Sequence, residues 1–426
     1  MFRQSVKITK LANGITVMTD LMPHAESATI GAWIPRGSRH ESPEEMGLSH
    51  FYEHLVFKGT ENRTASEIAR AVEDRGGALE AYTTRQETGF YAHVVREDVS
   101  FALEVIADLL MNPKMDALEV EKERKVILEE IRSYEDIPEE VAGDAFNALH
   151  FQGSGLAHPI TGTLKSVKEL TYEQVLKAKR EVLTDLPLLV CAAGKVEHEK
   201  LVEECDRLFA KKRTGGKTLP VHYRSFSGTK VIKRDIQQSN LMLGTSFLKN
   251  EKYPDLRYAL LLFHVALGSG MASRLFQKIR EEQGLVYSIY ASTDVYSDSF
   301  GLEMAFAAEK KRAEKALTLV WSELEKFLQN GFAAGELART KQNILGGMRI
   351  GFDSTEKRVL RLAEQMLRYG YCTPVHEVKS RILSLNETDV MEMMRETVGK
   401  SAWALAAVVA ELPAKPGFPL WNESNH

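Results

Sequence analysis

The chain repeats itself. Residues 117–131 (ALEVEKERKVILEEI) align without a gap to residues 334–348 (AGELARTKQNILGGM), 217 positions later, with Ile127-Leu128 over Ile344-Leu345 and Glu119 over Glu336. Each half opens with strand-like alternation and passes into helical periodicity. Between them, 211–222 (KKRTGGKTLPVH) gathers Lys, Arg, Gly and Pro as a junction does. At 426 residues the chain exceeds what one core usually organises. A diverged duplication therefore constrains the fold most: two homologous domains, 1–212 and 223–426, joined by a linker at 213–222. The copies are chemically unequal. Glu129 and Glu130 stand over Gly346 and Gly347, so whatever those carboxylates do, the second copy cannot do.

With 44% hydrophobic and 27% charged residues, there is apolar material for two cores. A net charge of −4 gives no basic field, which argues against nucleic acid. No apolar run approaches the roughly 20 residues that span a bilayer, so no membrane partner is expected. The N-terminus reads as two strands around an Asn13-Gly14 turn rather than a signal or transit peptide, and a cytoplasmic protein is expected. Cys191, Cys205 and Cys372 are scattered and odd in number, as structural thiols in a reducing compartment would be.

Further along, Ser42-Pro43-Glu44-Glu45 forms a capping-box pattern that announces a helix. Residues 64–75 are helical up to Gly76-Gly77, 78–95 read as two strands, and 98–111 and 116–134 are helical. The span 160–185 is largely helical, and 187–194 is a buried-type strand.

The second constraint is chemical. His50-Phe51-Tyr52-Glu53-His54 reads H-x-x-E-H. On a helix, His50 and His54 project from one face one turn apart and can grip one cation. Glu53 stands beside them, placed to reach an activated water without being a ligand. Catalytic zinc usually takes three protein ligands, so a third is needed from another element. The acidic helix 116–134 offers Glu119, Glu121, Glu123, Glu129 and Glu130. Glu123 and Glu130 lie two turns apart on one face, with Glu129 about 100° away. Helical spacing alone leaves the choice open. His93, His150, His158, His198, His222, His264 and His376 lack ligand-like spacing and read as surface or packing histidines.

The segment GLSHFYEHLVFKGT (47–60) resembles the active-site segment of the pitrilysin/insulinase family of zinc metallopeptidases. In that family the third ligand is a Glu about 76 residues past the second His, in an E-E-I context, which Glu130 in Glu129-Glu130-Ile131 matches. Glu123 matches a second family Glu seven residues earlier, implying a role behind the ligands. GGALEAYTTRQETGFY (76–91) is similar to the family's substrate-pairing edge strand, which implies peptide binding along Glu80, Ala81 and Tyr82 by β-augmentation. The family most often has Asn where this chain has Glu80, and a carboxylate there suggests a preference for basic substrate residues. In 268–292, Arg280 and Tyr287 match a family pair that holds the substrate carbonyl, a role suited to a guanidinium and a phenol. HPITGT (158–163) resembles a structural loop of the family.

The resemblance covers essentially the whole chain and favours the family's shorter branch, which includes the catalytic β subunit of mitochondrial processing peptidase. It implies an α+β fold, each domain an antiparallel sheet with helices packed on one side. It implies one zinc ion per chain on His50, His54 and Glu130, with Glu53 as general base. The implied activity is endopeptidase cleavage of peptides or unfolded polypeptide. The implied assembly is a homodimer, or a heterodimer with an inactive homologue. The alternative is a non-catalytic subunit or scaffold. Such members generally lose part of the motif, whereas this chain keeps all four residues.

Overall fold

A computed structural model describes residues 5–210 and 222–410. The expected linker 213–222 lies almost wholly outside the described residues. In the first half, β1 (Val6–Lys10), β2 (Thr16–Leu21) and β3 (Ser27–Ile34) lead to α1 (Leu48–Val56) and α2 (Ala65–Glu73). β4 (Ala78–Thr83) and β5 (Thr88–Val95) follow, then α3 (Val99–Met111), α4 (Ala117–Glu135) and α5 (Pro138–His150). The half closes with α6 (Leu164–Glu169), α7 (Tyr172–Thr184), β6 (Leu189–Gly194) and α8 (His198–Leu208). The second half runs β7 (Gly228–Lys233), β8 (Gln238–Leu248), α9 (Leu256–Gly268), β9 (Val286–Val295) and β10 (Ser299–Glu309). It ends with α10 (Ala313–Asn330), α11 (Glu336–Gly351), α12 (Thr355–Tyr369), α13 (Val375–Ser384), α14 (Glu387–Glu396) and β11 (Trp403–Val409).

The strands form two sheets, ordered β1-β2-β6-β3-β5-β4 and β7-β11-β8-β10-β9. Replacing β2, β6, β3, β5 and β4 by β7, β11, β8, β10 and β9 turns the first order into the second, without β1. The duplication read from 117–131 and 334–348 is thus repeated in the sheet topology. The α+β class holds, with one refinement. Each sheet is mixed, because β6 runs parallel to β2 and β11 parallel to β7. All other neighbours are antiparallel.

Both sheets are covered on two faces rather than one. In the first, Ile30, Ala32, Phe90 and Ala92 face a core completed by Phe51 and Leu55 of α1 and by Leu103, Ile106 and Leu110 of α3. The alternate residues Trp33, Tyr91, Met18 and Cys191 point the other way, as strand alternation requires. There they meet Val359, Leu362 and Ala363 of α12. In the second sheet, Ala404 and Ala406 of β11 meet Phe146 of α5. Each sheet is therefore backed by a helix from the other half of the chain. Pro138 and Thr355, which open these two helices, are separated by the same 217 positions as the repeat. The compact units are accordingly discontinuous, and differ from the contiguous stretches 1–212 and 223–426. One comprises the described residues of Met1–Arg132, His158–Val221 and Arg349–Val375, the other those of Ser133–Ala157, His222–Met348 and His376–His426.

The Asn13-Gly14 turn joins β1 to β2 in antiparallel register, Val6 opposite Asp20. The capping-box pattern at 42–45 yields only a short 3-10 turn, Pro43–Glu45, and the helix begins at Leu48. Among the described residues no helix is long and apolar enough to cross a membrane.

The backing role of α12 has a measurable consequence. Leu362 is fully buried against the first sheet. Leu362→Ala should cost roughly 2–5 kcal/mol, as large-to-small changes at well-packed sites do. A urea melt that matches the wild type would show that this face does not depend on α12.

Candidate metal centre

The site is built around α1, and its N-terminus is held from outside the helix. Glu41 accepts hydrogen bonds from the backbone N–H of Gly47 (2.7 Å) and Ser49 (2.6 Å), two of the donors a helix start leaves unpaired. Gly47 has φ +91°, and a Cβ there would lie 2.7 Å from the Thr161 carbonyl oxygen. Gly162, with φ +75°, would likewise place a Cβ 2.6 Å from the Met46 carbonyl oxygen. Two glycines thus let 158–163 lie backbone to backbone against the entry to α1, which gives the HPITGT loop its structural role.

From this start, His50 and His54 emerge on one face with ring centroids 4.5 Å apart. α4 supplies the opposing carboxylate. Glu130 Oε1 lies 3.8 Å from His50 Nε2, and Oε2 lies 3.6 Å from His54 Nε2. Ligand atoms of His50, His54 and Glu130 all lie within 4.8 Å of one another, the one such cluster among the described residues. One turn pair earlier on the same face, buried Glu123 accepts a hydrogen bond from His54 Nδ1 at 2.9 Å. The other acids pair within the helix: Glu119 with Lys122, Glu121 with Arg124 and Glu129 with Arg132.

Electrostatics favour a cation here. Burial, then the neighbouring His54, pull the His50 pKa down to about 4, so its ring is neutral and offers a lone pair near neutrality. Burial also opposes charge on His54, but Glu123, Glu130 and Glu53 outweigh it and the net shift is upward. Glu123 is lowered: burial works against its charge, and hydrogen bonds from His54 and Lys58 prevail. Burial raises Glu53, partly offset by a 2.5 Å hydrogen bond from the Thr83 hydroxyl. Glu53, Glu123 and Glu130 thus gather three carboxyl groups around the two imidazoles, with the Lys58 side chain beside Glu123. The donor set, two imidazoles and a carboxylate, is that of a zinc hydrolase site. The two histidines are supported differently. Glu123 fixes the tautomer of His54, whereas His50 Nδ1 is buried with no hydrogen-bond partner among the described residues.

β4 is the last strand of its sheet, and its outer edge is unpaired among the described residues. Leu79, Ala81 and Thr83 face the α1 side, where Thr83 meets Glu53. Glu80 and Tyr82 face α12. Glu80 accepts the Tyr91 hydroxyl, which also reaches Glu356 at 3.3 Å. Tyr82 accepts from Trp33 Nε1 at 2.9 Å. The Glu80 carboxylate therefore points to the face of the sheet opposite Glu53, where Tyr91 holds it.

In the other unit, Arg280 lies in a turn of π-helix, Phe276–Glu281, with its guanidinium 5.9 Å from the Tyr287 ring centroid. Both side chains are exposed, Tyr287 by 74%. His93, His150, His158, His198 and His264 bond to hydroxyl or backbone groups, as packing histidines do. Sequence reasoning missed Glu41, Thr83 and Lys58. Thr83 was signalled by its place at the end of the edge strand. Glu41 and Lys58 carried no signal beyond proximity to the motif.

Comparison with known proteins agrees with this geometry. Residues 16–164 match the family described as Insulinase (Peptidase family M16), and residues 169–344 match the Peptidase M16 inactive domain. A protein of Mycobacterium tuberculosis named an uncharacterized zinc protease is 32% identical over 418 residues, covering 96% of this chain and 94% of its own. The chain belongs to the M16 insulinase family of peptidases. The zinc protease YmxG of Bacillus subtilis, also named uncharacterized, is 29% identical over 397 residues, covering 93% of this chain and 96% of its own. The crystal structure of a protease from Helicobacter pylori superimposes with a TM-score of 0.89 at 19% identity, over 95% of this chain and all of that one. That likeness concerns the fold. The inactive-domain match falls largely on the copy that has Gly346 and Gly347 in place of the two glutamates.

The Glu41 clamp makes a pH-dependent prediction. Burial pushes its pKa up to about 7 from 4.5, against the pull of Ser49, Gly47 and Arg36. The folded chain then holds a proton that the unfolded chain has released. Between those two pKa values the stability due to this group falls as pH rises. Thermal midpoints at pH 5 and pH 8 should therefore differ by less in Glu41→Gln than in the wild type. An unchanged difference would show that Glu41 does not titrate on folding.

Proposed function

We propose that this chain is a zinc-dependent endopeptidase that cleaves peptides or unfolded polypeptide segments. The observation carrying this reading is the convergence of His50, His54 and Glu130 beside Glu53, with Glu53 held by a residue of an open edge strand. Zinc on these three side chains would supply Lewis acidity toward a water and a peptide carbonyl. The protein's own groups do the rest. Glu53, with a raised pKa, takes the proton of the attacking water and delivers it to the leaving amine. Thr83 fixes one oxygen of that carboxylate. The open edge of β4, through the backbone of Ala81 and Tyr82, holds the substrate as an added strand. Arg280 and Tyr287 bind the substrate carbonyl, a role that rests on the sequence resemblance. A homodimer, or a pair with an inactive homologue, completes the proposal on the same footing. A non-catalytic subunit is disfavoured because all three ligands and the base are present together.

The test pairs zinc content with cleavage of a quenched, unfolded peptide. The wild type should bind one zinc per chain, lose activity on chelation and regain it with zinc. Glu53→Gln should keep its zinc and lose at least about 100-fold in kcat, the lower range for a removed general base. A wild type without zinc, or a Glu53→Gln variant as fast as wild type, would sink the mechanism.

A further inference from the structure

Lys58 lies four residues past His54, just beyond the end of α1, and is neither one of the three metal-binding side chains nor the base. Its Nζ lies 2.7 Å from Glu123 Oε2, while Glu123 Oε1 receives His54 Nδ1 at 2.9 Å. Each oxygen of a buried carboxylate thus has one charged or polar partner. The Glu123 side chain is only 6% exposed, so a carboxylate here requires such compensation. Two anchors, one per oxygen, also fix the plane of the carboxylate, and with it the rotation of the His54 ring.

The segment carrying Lys58 is itself tied down. Asp108 of α3 receives Thr60 Oγ1 (2.7 Å), Asn62 Nδ2 (2.5 Å) and Arg63 Nη1 (2.7 Å), all from the loop that follows Lys58. Asp108 is buried, and its pKa is lowered because these hydrogen bonds and that of Asn112 overcome the burial. The Lys58 backbone N–H donates to Leu55 O at 3.1 Å, which holds the residue against the last turn of α1. The chain of contacts runs from Asp108 through the loop to Lys58, then to Glu123, then to His54.

We propose that Lys58 is a positioning residue of the metal centre, acting through Glu123 to hold His54 with Nε2 presented to the cation. The proposal rests on the zinc reading above and adds a specific energetic link. Outer partners of a metal-binding histidine are typically worth 10–100-fold in affinity. Lys58 should share the Glu123 contribution rather than add to it.

Zinc affinity of the full-length chain, measured by competition with a chelating indicator, tests this without reference to catalysis. Lys58→Met and Glu123→Gln should each weaken zinc binding by about 10-fold or more. The double variant should be no weaker than Glu123→Gln alone, because the two act through one contact. Lys58→Arg should recover most of the loss by restoring the cation. Melting curves of the metal-free proteins run alongside, and Lys58→Gln replaces Lys58→Met if the latter does not fold. A Lys58→Met protein that binds zinc as tightly as wild type overturns the proposal. So do losses in the two single variants that multiply in the double. A wild type that takes up no zinc refutes the metal reading itself, which is a distinguishable result.

Discussion

The site depends on the register between two helices. α1 offers His50 and His54 one turn apart, and α4 offers Glu123 and Glu130 two turns apart. These spacings bring the four side chains together only if the helices present fixed faces. A slip of one residue along α4 would rotate its face by about 100° and put Glu129, now paired with Arg132 at the surface, where Glu130 stands. Much of the first unit serves to prevent that slip. Val120, Ile127 and Ile131 bury the inner face of α4. Glu41 and the Gly47–Gly162 approach fix where α1 begins, and the Asp108 hub fixes where its trailing loop goes. Metal-site geometry is thus an outcome of helix capping and core packing, before any ligand chemistry enters.

The duplication shows the same scaffold with and without that chemistry. Both sheets keep the order and the parallel pair, and both are backed by an exchanged helix. What differs is the content of equivalent helices. α9, between β8 and β9, carries the single His264, which bonds to the Ala291 carbonyl. α11 carries Gly346 and Gly347, beside which a Cβ would meet open space. The sheet and core do not need the metal cluster, since the second copy builds both with no such cluster among its described residues. Scaffold and site are separable, as function grafted on a fold implies.

How far the sequence revealed this follows from what each signal encodes. Spacing along a single helix is rigid, so the i, i+4 histidines were legible, whereas the choice of Glu130 and Glu123 among five glutamates came from the resemblance; the structure brings all four together. Strand alternation marks which residues share a face but carries no direction. The parallel pairing of β6 with β2 was therefore invisible. An apolar helix face says that something covers it, not what. The exchange of α5 and α12 between sheets could not be read, although the 217-residue offset was already in view. Glu80 shows a related limit: alternation assigns it a face, but only the partners Tyr91 and Glu356 reveal that this face lies away from Glu53. Residues that work through others, such as Lys58 and Glu41, left no pattern because their partners are fixed only by tertiary packing.

One consequence of the strand geometry bears on how a peptidase of this design would work. β4 has two chemically distinct sides and one open edge. Its α1 side ends in Thr83, whose hydroxyl holds Glu53, and its α12 side is pinned through Tyr82 to Trp33. Under the proposed mechanism, a peptide pairing along the edge would be aligned by the same strand that aligns the base. Any displacement of the strand would move backbone and carboxylate together. Proton transfer tolerates little error in distance, so a common rigid carrier guards against the ångström-scale misplacement that costs orders of magnitude in rate. The strand is packed from both sides: Leu79 and Ala81 sit against one core and Tyr82 against another. Under the same mechanism the helix α12, remote from the metal cluster in chain order, would contribute by packing behind Tyr82 on the strand where substrate and base would converge.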